Sequence, residues 1–410
     1  MTSPVTSPVD FSWARGVRVA DVFKAGRKAA RLERTPSGVR FSYYPDYLSH
    51  GVAVATTLAL DDQAVVTPSG AVPPFFAGLL PEGRRLSGLR RATKTSADDE
   101  LTLLIAVGRD PVGDVQIVPE GEHPTSVEPM IVVDSSMSEV RFSDLLRAAN
   151  IVDPVALPGM QEKASVGVIS LPLSAKGSKY ILKIDPPEYP HLAQNEAYFL
   201  EIARTSGMAV VDAQLVRDAV GQYGLLVRRF DRGVTGDGLA KSFAVEDASQ
   251  LLGLWPADKY NVTSEQVVAG IARVCPAGVV AAQHVFRQLC FALLTGNGDV
   301  HAKNISVLRS PDGEWMVAPA YDLPSTIFYD DLTLALAIHG KTSNLSRDTL
   351  LSFATEIALP EKAASRIIND MLDATSEVEP DLRDGRLPFD EHTISQALRR
   401  LKYRRTLVAG

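Results

Sequence analysis

Gly296-Asn297-Gly298-Asp299-Val300-His301-Ala302-Lys303-Asn304 follows an apolar, helix-patterned run from Val279 to Leu294 and precedes a β-run. The glycines flank a chain reversal at a helix end, a position that favours a left-handed backbone. Within the reversal, Asp299 and Asn304 stand five positions apart. One loop can thus offer an acid to an accepting hydroxyl and an amide to a metal-bound phosphate. Beyond a hairpin over Ile305 to Ala318, Tyr321-Asp322-Leu323 adds an acid at a strand end, where it can coordinate Mg2+ bridging the phosphates of ATP. Phosphoryl transfer needs an oriented acceptor, neutralised phosphate charge and in-line geometry. Asp299, Asn304 and Asp322 fill those needs. The blander reading is a polar loop capped by its own Asp and Asn. His301 alone is more often a satisfied structural histidine than a metal ligand; lying between the two, it reads as an orienting group and not as the base.

Upstream, Tyr180-Ile181-Leu182-Lys183-Ile184 places a lysine in an apolar strand. A charge facing inward there is costly without a partner. Lys183 therefore reads as a phosphate-contacting lysine paired with a carboxylate of the next helix, Glu196 first and Glu201 in reserve. The alternative is an edge-strand lysine turned to solvent. Pro158-Gly159-Met160-Gln161-Glu162-Lys163 enters the first strand of this β-rich region, where a nucleotide loop would lie; with one glycine it fails G-x-G-x-x-G.

Working outward, Ala164 to Leu171 and Lys179 to Ile184 read as a hairpin, followed by a helix at about Ala193 to Ser206 and strands Ala213 to Arg217 and Gly224 to Phe230. This predicts a five-element sheet with one helix. After Val245 the chain reads as mainly helical, interrupted only by Ile305 to Leu308, the turn Ser310-Pro311-Asp312-Gly313 and Trp315 to Ala318. Residues 16 to 118 read as a small α+β unit, with strand-like Gly16 to Phe23, Gly38 to Tyr44 and Asp114 to Val118 around helical Pro74 to Leu80 and Asp98 to Val107. The fold class is α+β: a β-rich lobe and a helical lobe behind an N-terminal subdomain. The divisions are 11–120 for the subdomain, 121–135 for a linker, 136–232 for the β-rich lobe and 233–410 for the helical lobe.

With 410 residues and 45% hydrophobic content, the chain falls outside the disordered class. The start, Met1 to Asp10, lacks the pattern of a secretory signal, and no later run reads as a bilayer span, so the expectation is a cytoplasmic protein. Cys275 and Cys290 read as buried free thiols. A formal net charge of −7 disfavours an autonomous nucleic-acid binder. Two basic runs, Arg84-Arg85-Arg90-Arg91-Lys94 and Arg399-Arg400-Lys402-Arg404-Arg405, read as solvated faces, with an acidic partner or DNA as the sharper alternative.

Taken in order, Leu157 to Lys163, Lys183, Val227-Arg228-Arg229-Phe230-Asp231-Arg232, Gly296 to Asn304 and Tyr321-Asp322-Leu323 resemble the HipA-like serine/threonine kinases. Pro74-Phe75-Phe76 through Leu79-Leu80-Pro81-Glu82-Gly83 looks like that family's N-terminal signature. The resemblance implies a bilobal protein-kinase-like fold. By position it implies that Asp299 is the catalytic base with His301 and Lys183 beside it, and that Asn304 and Asp322 hold Mg2+. ATP would be approached by Lys183, His301 and the loop carrying Gly159, Gln161 and Lys163, with Arg228 to Phe230 as the hinge whose main chain meets adenine. It further implies the toxin of a toxin-antitoxin pair, phosphorylating a protein of translation such as an aminoacyl-tRNA synthetase. A small HipB-like DNA-binding antitoxin would restrain it, with DNA reached only through that complex. The family's autophosphorylated serine is replaced here by Ala156, which puts that form of regulation in doubt; Ser165 or Ser170 could substitute.

Two other readings compete. D-x-H-x-x-N order also occurs in phosphatidylinositol kinases, so a lipid or small-molecule kinase is the rival enzyme, although no basic amphipathic helix with exposed aromatics marks a membrane seat. The non-enzymatic rival is a pseudokinase co-repressor scaffold whose basic runs touch operator phosphates.

Overall fold

In the computed structural model, residues 10–124, 137–148, 169–175, 178–234 and 240–410 are described. The nucleotide-loop candidates Gly159, Gln161 and Lys163, together with Ala156 and Ser165, lie outside them.

The N-terminal part is built on an antiparallel sheet of β1 (Val19–Lys24), β2 (Arg27–Thr35), β3 (Gly38–Tyr43), β4 (Val65–Thr67) and β5 (Val115–Pro119), in the order β4-β3-β2-β1-β5. Strand alternation explains its buried face: Val39, Phe41 and Tyr43 point into the core while Arg40 turns outward. Phe41 meets Phe76 of the short helix Pro74–Ala77 at 5.5 Å between ring centroids. Gly38 needs to be glycine, since its φ is +137° and a Cβ would fall 1.9 Å from the Thr67 carbonyl oxygen. The reading from sequence passed over β2, β4 and the helix Gly83–Thr93. β2 is an arginine-rich strand whose polar side chains mask its period, and the helix carries the first basic run.

The second sheet is β6 (Ile169–Ala175), β7 (Ser178–Ile184), β8 (Ala213–Arg217) and β9 (Tyr223–Arg228), ordered β6-β7-β9-β8 and antiparallel throughout. With the helix Leu192–Thr205 it makes five elements. Leu182 and Ile184 face one side, packed with Phe142 and Leu171. Because successive side chains alternate, Lys183 must face the other, which that helix covers. Since β7 lies between β6 and β9, Lys183 is on a central strand and the solvent-facing alternative fails.

Two small ribbons follow: β10 (Arg232–Val234) pairs with β11 (Ala240–Ser242), and β12 (Val245–Asp247) pairs with β13 (Ser306–Arg309), which pairs with β14 (Trp315–Val317). The expectation of helix after Val245 is therefore corrected twice. Val245–Asp247 is a strand recruited by β13, and between β14 and the helix starting at Arg347 the described regular structure is one 3-10 turn, Thr326–Tyr329.

The helical lobe is organised around the helix Gly278–Thr295, whose Phe286 stacks on Phe353 at 5.8 Å, a contact contributing about 0.5–1.5 kcal/mol beyond burial. By length and composition this helix is apolar enough to cross a membrane, contrary to the expectation of no such run, but most of it is buried in the lobe's core. Cys275 and Cys290 are free and buried, and burial pushes the Cys275 thiol up to about 11.

The basic runs divide: Arg90, Arg91, Lys94, Arg399 and Lys402 are exposed, as expected of solvated faces, while others of their number are tied into the fold. Arg404 donates to the carbonyls of Leu293 and Leu332, and Arg405 to Thr375 Oγ1 and the Leu372 carbonyl. Arg400 pairs with Asp330 at 2.9 Å, and Arg84 with Glu188 at 2.7 Å. These four side chains tie elements together, beside the exposed members of each run.

Candidate active site

The helix Gly278–Thr295 ends at Gly296, whose φ of +76° turns the chain into the loop holding Asp299. The loop is pinned by its own polar groups. Asp299 N–H donates to Asn297 Oδ1 at 2.9 Å, Gly298 N–H to Thr326 Oγ1 at 2.8 Å, and Asn304 Nδ2 to the Asp299 carbonyl at 3.2 Å. Tyr260 OH donates to Asp299 Oδ1 at 2.9 Å, and the Tyr260 ring meets His301 edge-on at 5.1 Å. Burial, then the Asp299 charge, pushes the Tyr260 hydroxyl far up, so it stays a donor to that carboxylate.

Asp322 sits at φ +58°, in the left-handed region that Asp tolerates better than most residues. Asn297 Nδ2 donates to its carbonyl at 3.3 Å. This aims the Asp322 carboxylate between two candidates from distant parts of the chain: Asn304 Nδ2 lies 3.0 Å from Oδ2, and Lys183 Nζ 3.0 Å from Oδ1. Lys183 also donates to both oxygens of Glu196, at 2.7 and 2.8 Å. Glu201, the reserve partner, instead lies on the exposed side with Arg386. The helix bearing Glu196 is docked by Asn195, which exchanges hydrogen bonds with the Ser325 backbone at 2.8 and 2.9 Å.

One cation between two carboxylates leaves an excess of negative charge. Burial pulls the Lys183 ammonium down, but Asp322 and Glu196 outweigh it and hold it above its ordinary value. Burial raises the Glu196 carboxyl, and Asp322 adds to the rise against the pull of Lys183. Such a cluster has room electrostatically for a further cation. Its hard oxygen donors, Asp322 and the neighbouring Asn304 amide, suit Mg2+, which is usually held by one or two carboxylates together with substrate phosphates. Among the described residues no group of three or more His, Cys, Asp or Glu forms a protein-only metal cage.

At the proposed hinge, Arg228 is exposed and Phe230 stacks on Tyr321 at 5.7 Å. The N–H groups of Arg228 and Arg229 donate to the carbonyls of Asp212 and Lys179, and among the described residues the Phe230 N–H meets no backbone acceptor. Tyr260, Asn297 and Thr326 went unassigned from sequence. Asn297 lies inside the quoted loop and could have been found there, whereas Tyr260 carries no local signal.

A family model described as the HipA-like C-terminal domain matches residues 155–378, and one described as the HipA N-terminal domain matches residues 20–118. The chain belongs to the HipA-like family. Y4dM of Sinorhizobium fredii, whose name carries the word kinase, is 30% identical over 377 residues, covering 84% of this chain and 87% of that protein. The serine/threonine-protein kinase toxin HipA of Shewanella oneidensis is 27% identical, over 87% of this chain and 89% of its own. A chain from the solved complex of Shewanella oneidensis HipA, HipB and operator DNA aligns with a TM-score of 0.74 at 23% identity, covering 93% of this HipA-like chain and 96% of that one. The fold is thus the α+β, bilobal protein-kinase-like fold, with a HipA-type N-terminal part ahead of it.

Proposed function

We propose that this HipA-like protein is a Mg2+-dependent serine/threonine protein kinase that transfers the γ-phosphoryl group of ATP, acting in the cytoplasm as the toxin of a toxin-antitoxin system. The observation that carries the reading is the convergence of Lys183, Glu196, Asn304 and Asp322, from four separate elements, beside the loop that holds Asp299. In this reading Asp299 accepts the proton of the acceptor hydroxyl. Tyr260 and Asn297 fix its orientation, and His301 keeps the loop's shape by accepting the Asn304 N–H on its carbonyl. Lys183, held by Glu196, neutralises phosphate charge. Asp322 and Asn304 are the oxygen donors for Mg2+, which when bound supplies charge neutralisation at the phosphates. Adenine lies against the Phe230 backbone, and the loop carrying Gly159, Gln161 and Lys163 covers the phosphates.

The toxin role and its partners rest on the relatives. The acceptor is a protein, with those of translation such as an aminoacyl-tRNA synthetase as the first candidates. The restraining partner is a small HipB-like DNA-binding protein, through which the complex reaches operator DNA. The division at 121–135 separates the N-terminal subdomain from the kinase lobes.

The deciding experiment is incorporation of label from γ-labelled ATP with Mg2+ into a cell lysate and into the protein itself, comparing wild type with Asp299→Asn. Discrete labelled proteins that disappear with the variant support the reading. Nucleotide binding without labelled protein overturns it in favour of a small-molecule kinase or a scaffold.

A further inference from the structure

Two residues at the start of the helix Gly83–Thr93 reach into both lobes of the kinase fold. Glu82 ion-pairs with Lys259 and lies 3.8 Å from Lys303 Nζ. Both lysines belong to the helical lobe and adjoin the candidate base. Lys303 sits inside the loop between Asp299 and Asn304. The Lys259 carbonyl accepts the Ala302 N–H at 3.3 Å, and the next residue, Tyr260, holds Asp299. Lys303 Nζ is further committed to the Gly78 carbonyl and to Asp247, each at 2.9 Å. The approach at Gly78 is close, since a Cβ there would fall 2.8 Å from Gln250 Cγ. Two residues after Glu82, Arg84 pairs with Glu188 at 2.7 Å. Glu188 lies in the connection between Lys183 on β7 and the helix carrying Glu196.

The two halves of the candidate site are therefore each tied to a single turn of the N-terminal part. The ties differ in character. Lys259 and Lys303 are well shielded, and a buried pair that loses one partner leaves an uncompensated charge. Arg84–Glu188 is partly exposed on the glutamate side, so it guides more than it stabilises.

We propose that Glu82 and Arg84 are positioning residues, by which the N-terminal part sets the catalytic loop against the Lys183–Glu196 pair. The proposal rests on the kinase reading for its catalytic consequence, but its structural half stands without it. Neither residue touches a reacting atom; Glu82 acts through Lys303, Lys259 and Tyr260, and Arg84 through Glu188. An N-terminal part whose engagement controls loop order would also give any protein that grips it a handle on turnover.

The test uses the full chain with Glu82→Gln, Glu82→Asp, Arg84→Gln and, as a control for charge loss, Glu379→Gln, whose partner Arg383 lies on an exposed helix surface. Amide hydrogen exchange is followed across residues 299–304 and 185–196. Glu82→Gln is expected to speed exchange in 299–304 by about threefold or more, with Glu82→Asp close to wild type and Glu379→Gln unchanged. Arg84→Gln is expected to act on 185–196. In turnover, Glu82→Gln should lower kcat about tenfold while the KM for ATP stays within about twofold, because a misplaced base slows chemistry without removing nucleotide contacts. Unchanged exchange across 299–304 in Glu82→Gln overturns the proposal. A wild-type protein without phosphoryl transfer sinks the kinase reading instead and leaves the exchange result to decide this one.

Discussion

Lys183 Nζ lies 3.0 Å from Asp322 Oδ1, a contact between residues 139 positions apart that closes the gap between the β-rich sheet and the loop region of the helical lobe. The same ammonium is shared with Glu196, so one side chain sets the distance between three elements. Removing it breaks the Glu196–Asp322 bridge, although the Asn195–Ser325 bonds still dock the helix.

Lys183→Met should therefore lower phosphoryl transfer by about 10²–10³, the range seen when one charge-stabilising donor is lost. Glu196→Gln should lower it less, since Lys183 keeps Asp322. Initial rates with saturating ATP and Mg2+ give the comparison, and a Lys183→Met variant with wild-type kcat would remove Lys183 from the site.

Asp322→Ala takes away both the proposed metal ligand and the acceptor for Asn304 Nδ2. Titration calorimetry should show nucleotide binding that no longer responds to Mg2+, alongside lost turnover. Mg-ATP bound as tightly as by wild type would contradict the assignment of Asp322 and Asn304 to the metal.

What the sequence could reveal here was local. The five-residue spacing of Asp299 and Asn304 lies within one loop, and the apolar neighbours Leu182 and Ile184 marked Lys183 as a candidate, while its place on a central strand needed the sheet order. Glu196 was within reach because it falls on the first turns of the next helix. The Tyr260–Asp299 contact spans 39 residues, Glu82–Lys259 spans 177 and Gly78–Lys303 spans 225; no spacing rule links such positions. The basic runs were only half legible for a related reason. A string of arginines shows charge but not whether each guanidinium meets water or, as with Arg404 and Arg405, the carbonyls of neighbouring segments. Strand Val245–Asp247 was missed because three residues carry no period of their own, and β13 supplies the pairing that makes them a strand.

Tyr321 provides a stability test beside the site. Its hydroxyl contacts Ser306 Oγ at 2.6 Å and donates to the Lys303 carbonyl at 2.7 Å. Tyr321→Phe keeps the ring stacked on Phe230 but strands those partners, and chemical denaturation should register a loss of about 1–3 kcal/mol.

Asp231 gives the protein a handle for acid. Its carboxylate accepts from Arg229, Arg232 and the Gly113 N–H, joining the segment after β9 to the loop before β5. Burial pushes its pKa up, but Arg229 and then Arg232 outweigh that and hold it below the ordinary 3.8. A group depressed in the folded state lends stability that is complete above its unfolded value and drains away as pH falls through the folded one. Asp231→Asn leaves Arg229 buried without its main counter-charge and should cost about 3–5 kcal/mol at neutral pH. In paired urea titrations, the wild-type advantage should hold flat down to about pH 4 and then shrink as the solution is made more acidic. An advantage that grew with acidification, or that was absent at pH 7, would mean that this carboxylate does not anchor the segment after β9.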